Sequence, residues 1–138
     1  MASHNNAARP LSPHLTIWKW GPHMAVSILH RATGDGMAVV GSLLFVWWLA
    51  ALASGEAAYA EFLDIFTLKS GQLNIVGYVF GIGLTLSFFQ HLASGIRHFV
   101  LDTGAGYELK VNKMGARATF FFSILATAAY WAYLIWGK

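Results

Sequence analysis

The chain has no cysteine and little charge: none of its 138 residues is Cys, and Asp, Glu, Lys and Arg together make up 11%. Without cysteine there is no disulfide, no thiolate metal ligand, no iron–sulfur cluster held by this chain and no cysteine nucleophile. With 57% apolar residues and a mean hydropathy of +0.53, the sequence also lacks the polar surface that a soluble domain of this size requires. A glycine-rich phosphate loop, paired zinc ligands, a nucleophile elbow and internal repeats are all missing. Residues 1–13 are polar and carry no signal-peptide core. The polar segments are an N-terminal arm and two loops, too little for a soluble catalytic domain.

What is present is three long apolar runs. Residues 36–54 and 118–137 contain no charge, and residues 72–96 are broken only by His91. About 20 helical residues, rising roughly 1.5 Å each, span the hydrocarbon core of a bilayer. The runs therefore predict an all-α integral membrane protein. An arm over residues 1–21 precedes a three-helix membrane domain over 22–138, with spans at about 30–54, 72–97 and 117–137.

Charge sets the expected orientation. Of nine Lys and Arg residues, Arg9, Lys19 and Arg31 precede the first span, and Arg97, Lys110, Lys113 and Arg117 lie between the second and third. Only Lys69 and Lys138 belong to the other side. Because cytoplasmic loops retain Lys and Arg, the N-terminus and the 97–117 loop are expected in the cytoplasm, or the matrix of a mitochondrion, with the C-terminus outside. The net charge of +3 follows from this bias and implies no nucleic-acid partner. Trp47, Trp48, Tyr130, Trp131, Tyr133 and Trp136 near the span ends suit interfacial belts.

Two polar constellations border the apolar runs. Pro22 suits a helix start, and on a helix from there Ser27, His30 and Arg31 stand at i, i+3 and i+4, on one face with Asp35 beyond. Trp18 and Trp20 lie just upstream, at headgroup level. An Arg31 that snorkels at the span's end, paired with Asp35, is the plainer reading of these residues.

The second constellation is deeper. His91 lies inside the second span, and Gly83, Ser87, Ser94, Gly95 and His98 occupy its helical neighbour positions. This strip of small side chains leaves room for a flat macrocycle whose iron takes the His91 nitrogen. Close helix packing through small residues, with His91 hydrogen-bonded across the interface, accounts for the same pattern. Were two histidines to ligate one haem, His98 is on the same helix and cannot reach the opposite face, so a partner chain is implied.

The segments Arg9-Pro10-Leu11-Ser12-Pro13-His14-Leu15, Ser27-Ile28-Leu29-His30-Arg31-Ala32-Thr33-Gly34 and His91-Leu92-Ala93-Ser94-Gly95-Ile96-Arg97-His98-Phe99, with Asp102-Thr103-Gly104, resemble the cytochrome b membrane-anchor subunit of succinate dehydrogenase. The resemblance extends over about residues 9–136. It implies one half of a two-chain anchor, paired with a second small three-helix subunit and docked to an iron–sulfur and a flavoprotein subunit. It further implies a haem b shared with the second anchor, with His91 as this chain's axial ligand and His30 and Arg31 near the propionates. Ser27 and Arg31 would contact ubiquinone, the substrate, with Ile28 and Trp20 as apolar walls. FAD and iron–sulfur clusters belong to the partners. Arg97, His98 and Asp102 are expected to organise the cytoplasmic end of the second span, with Asp102 orienting His98 from i+4.

On this reading succinate is oxidised in the soluble subunits and quinone is reduced near Ser27 and Arg31 in the tricarboxylic acid cycle and respiratory chain. The N-terminus, without a transit peptide, is expected in a bacterium, in its inner membrane. A structural or transport subunit without haem, and a diheme quinone-reactive cytochrome, are the competing classes. The second is expected to carry several deep histidines on separate spans, whereas here His91 alone is deep.

Overall fold

The computed structural model describes His14 and residues 17–137. The arm signature before His14, Leu15, Thr16 and Lys138 lie outside the described residues. Four helices follow in chain order: α1 (Pro22–Ala53), α2 (Glu56–Phe66), α3 (Ile75–Asp102) and α4 (Leu109–Trp136). Within α1 a single π-helical turn, Met37–Gly41, separates the α-helical segments Pro22–Gly36 and Ser42–Ala53. Among the described residues the only β pairing is an isolated bridge between Thr67 and Leu73.

Local chemistry explains the ends. Pro22 opens α1, where its missing N–H is harmless. Asn74 caps α3 by accepting from the Gly77 N–H at 2.9 Å, and its Nδ2 donates to the Ile65 carbonyl at 2.8 Å. The cap thereby staples α3 to the end of α2. Glycine is required at position 77, where a Cβ would collide with the Phe66 carbonyl oxygen. Glu108 caps α4 with both carboxylate oxygens, each 3.1 Å from a first-turn N–H.

α1, α3 and α4 are each long and apolar enough to cross a membrane. At about 1.5 Å per residue they measure roughly 42–48 Å, against about 30 Å of hydrocarbon. Their ends therefore extend into the headgroup layers, and this is why they outrun the spans expected from hydropathy. Short α2 lies between α1 and α3, with Phe62 against Trp47 and Phe66 against Phe80.

The bundle is polar inside and apolar outside. The buried side chains include Gln90, Ser94, Thr119, Ser123 and Thr127, whereas Leu43, Val46, Val79, Phe121 and Leu125 are exposed. In lipid, apolar surface drives no helix together, so small residues and interhelical hydrogen bonds do. Gln90 of α3, only 4% exposed, is the centre of one such clasp. Ser123 Oγ donates to its Oε1 at 2.8 Å, and its Nε2 donates to Thr119 Oγ1 at 3.4 Å. A double-mutant cycle of Gln90→Leu and Ser123→Ala, read by thermal denaturation in detergent, is expected to give a coupling of about 0.6 kcal/mol and at most about 1.7 kcal/mol. Zero coupling is inconsistent with the clasp.

Trp131 departs from the expected interfacial belt. It packs inward against Tyr78, with ring centroids 5.7 Å apart, and a Cβ on Gly81 would come within 2.8 Å of its ring.

Candidate functional site

Three histidines meet where α1 lies against α3. His91 Nδ1 is 3.0 Å from the main-chain carbonyl oxygen of His30, sixty-one residues earlier. A carbonyl only accepts, so Nδ1 carries the hydrogen and donates it. Thr33 Oγ1 lies 3.3 Å from the same nitrogen while its own hydroxyl donates to the Leu29 carbonyl at 2.7 Å. With the hydrogen on Nδ1, the lone pair of a neutral imidazole falls on Nε2, which makes no hydrogen bond to the described residues. A metal-ligating histidine is generally held in this way, with its second nitrogen tied to a carbonyl or carboxylate.

α1 makes room for that ring. A Cβ on Gly34 would sit 2.9 Å from His91 Cε1, so only glycine allows this approach without displacing the imidazole. The His30 ring stacks on His91, with centroids 3.9 Å apart and planes 13° from parallel, and lies 5.2 Å from the His98 ring. Its Nδ1 is 2.7 Å from the Ser94 hydroxyl. Thus part of the small-residue strip, Ser94 and Gly95, receives the ring of His30, while among the described residues nothing would lie within 4 Å of a Cβ at Gly83.

His30 does not share a fully common face with Ser27 and Arg31. It turns into the α1–α3 interface, whereas Ser27 and Arg31 remain exposed on the outer side of α1. Ile28 is 54% exposed and Trp20 59% exposed, the latter in edge-to-face contact with Trp18 at 5.5 Å. Ser27, Ile28, Arg31 and Trp20 are thus all exposed, with Ser27 and Arg31 one helical turn apart.

Two expected pairs are not formed: among the described residues no salt bridge joins Arg31 to Asp35, and Asp102 does not bond His98. Helical i,i+4 pairs of this kind contribute only about 0.2–0.5 kcal/mol, too little to order exposed side chains. Arg97 does organise the end of α3, through a partner not foreseen. Its Nη2 donates to Asn112 Oδ1 at 2.8 Å, and Asn112 Nδ2 donates to the Gly106 carbonyl at 3.3 Å.

A family model described as succinate dehydrogenase/fumarate reductase transmembrane subunit matches residues 5–130. The chain belongs to this family. The succinate dehydrogenase cytochrome b556 subunit of Rickettsia felis is 32% identical over 123 residues, covering 89% of this chain and 90% of that protein. The corresponding subunit of Paracoccus denitrificans is 30% identical over 125 residues, covering 91% of each. The mitochondrial cytochrome b560 subunit of Mus musculus is 30% identical over 125 residues, 90% of this chain and 70% of the mouse protein.

As a transmembrane subunit of the succinate dehydrogenase and fumarate reductase family, the chain is a multi-pass membrane protein and supplies a membrane part of such an enzyme. Thr33, Gln90, Ser123 and Asn112 are the contributors to its architecture that sequence reading missed. A signal for one group was available: Thr119, Ser123 and Thr127 recur every four residues in an apolar run, and Gln90 is the one side-chain amide of α3.

Proposed function

We propose that the chain is the large cytochrome b anchor of a succinate:ubiquinone oxidoreductase. In this reading His91 supplies one axial nitrogen to a haem b shared with a second small anchor subunit, and Ser27 and Arg31 form one wall of the ubiquinone-reduction site. The observation that carries it is the bond from His91 Nδ1 to the His30 carbonyl, which leaves Nε2 as the ligating nitrogen. Haem, when bound, supplies a one-electron redox centre. His30 and Arg31, neighbours near the start of α1, would be the partners for its propionates.

Quinone reduction adds two electrons and two protons to give the quinol. Negative charge developing on a quinone carbonyl is stabilised by preorganised donors, for which the Ser27 hydroxyl and the Arg31 guanidinium are suited. Arg stays protonated, so it acts as an electrostatic donor and not as the proton source. Ile28 and Trp20 flank the ring. The exposure of all four suits a site completed by the iron–sulfur subunit, which with the flavoprotein subunit carries the clusters and FAD.

The deciding experiment is a dithionite-reduced minus oxidised spectrum of the complex purified through a tag on this chain. A b-type α band in wild type and its change in His91 variants support the reading. Copurification without haem favours a purely structural subunit. We read the N-terminus as cytoplasmic and the C-terminus as periplasmic, a reading that the basic bias and the bacterial relatives support. A reporter fused after Lys138 is expected to be active only on the periplasmic side, and one inserted near Lys110 only in the cytoplasm. The reverse pattern overturns the placement of the quinone site as well.

A further inference from the structure

We propose that Ser94 is a positioning residue that fixes the His30 imidazole against His91, an inference that rests on the haem reading above. Ser94 is 0% exposed, and its hydroxyl is anchored on the backbone of its own helix, 2.7 Å from the Gln90 carbonyl and 3.1 Å from the His91 carbonyl. What remains of its hydrogen-bonding capacity is directed at His30 Nδ1, 2.7 Å away. The hydroxyl owns one hydrogen. It either donates to a carbonyl and accepts from Nδ1–H, or donates to a bare Nδ1. In both arrangements Nδ1 is taken, and Nε2 is the nitrogen of His30 left to face a ligand.

Stacking alone leaves the ring's orientation undecided. Rotation about χ2 of a histidine is broad and nearly two-fold, and a flipped ring would stack on His91 equally well while presenting a carbon to Ser94. The serine hydroxyl removes that degeneracy. His30 in turn holds His91 at two points, through its carbonyl on Nδ1 and through the parallel ring 3.9 Å away. Order is thus passed from a buried hydroxyl on α3, across to α1, and back to the proposed iron ligand three residues before that hydroxyl.

The test compares Ser94→Ala with Ser123→Ala in the complex purified from membranes. Each removes one buried hydroxyl from a helix interface, but Ser123 belongs to the Gln90 clasp and touches neither histidine. The readouts are haem-to-flavin ratio, reduced-minus-oxidised α band and the low-field g value of the ferric haem by electron paramagnetic resonance. Ser94→Ala is expected to shift the g value or lose haem, while Ser123→Ala matches wild type. His30→Ala should shift the signal at least as far as Ser94→Ala, and the double variant should match His30→Ala, because the serine acts through His30.

A wild-type signal in Ser94→Ala overturns the proposal, as does an equal shift in Ser123→Ala or a shift in the double variant beyond that of His30→Ala. Those outcomes leave the haem reading intact. Absence of b-type haem from the wild-type complex overturns both.

Discussion

His91→Ala is expected to remove the low-spin b-type signature from the purified complex, either by loss of haem or by conversion to a form with one nitrogen ligand fewer. The expectation follows from the way the ring is held. Its Nδ1–H is committed to the His30 carbonyl, its edge fits against Gly34, and its face is covered by His30, so the ring is held on three sides. His30 has its Nδ1 taken by a hydroxyl able to donate or accept, which leaves its tautomer open, whereas the carbonyl at His91 settles the tautomer there. Losing even an outer hydrogen-bond partner of a metal-bound histidine costs about 10–100-fold in metal affinity. Losing the ring itself should cost at least as much. His91→Gly extends the test, since added imidazole should enter the vacated space and restore part of the spectrum. An unchanged α band and midpoint potential in His91→Ala, with haem and flavin in the wild-type ratio, would remove His91 from the ligand set.

The same residue shows what a sequence can and cannot convey. The depth of His91 is legible from the apolar run around it, because an ionisable group in a span is costly and therefore usually has a task. Its acceptor is not legible, since it is a main-chain carbonyl sixty-one residues away whose position depends on the register of α1 against α3. The three spanning helices and the start at Pro22 follow from apolar runs and proline chemistry, whereas short α2 gives no apolar run of that length and was not anticipated. The ends of α1 at Ala53 and α4 at Trp136 match the expected spans to within a residue, but α3 and α4 run further at their other polar ends, because hydropathy stops where the hydrocarbon stops while the backbone continues through polar residues such as Lys110, Lys113 and Arg117. The interface pattern was half visible. Ser94 and Gly95 are small enough to admit a macrocycle or a neighbouring helix, and only the packed bundle reveals that His30 takes that place.

Arg31→Leu is expected to lower succinate-dependent quinone reduction by roughly one to two powers of ten while sparing electron transfer to a soluble dye that accepts upstream of the membrane. Arg31 and Ser27 stand four residues apart on the exposed side of α1, free of salt bridges among the described residues. None of the described residues uses the guanidinium, so its charge is available to a substrate or a partner. One charge-assisted hydrogen bond contributes about 1.5–3 kcal/mol, and each 1.36 kcal/mol at the transition state is about tenfold in rate. Ser27→Ala removes a neutral donor and should do less, unless the hydroxyl also relays a proton. Arg31→Lys separates charge from shape: a point charge replaces a planar fork, so activity should return only in part. Because Arg31 also lies near the proposed propionates, the haem-to-flavin ratio has to be measured beside turnover. A fall in quinone reduction at constant haem content assigns the guanidinium to the quinone, and a parallel loss of haem assigns it to the cofactor. Full quinone turnover in Arg31→Leu, with the complex assembled, would leave Arg31 as a snorkelling residue at the end of a span and refute the site.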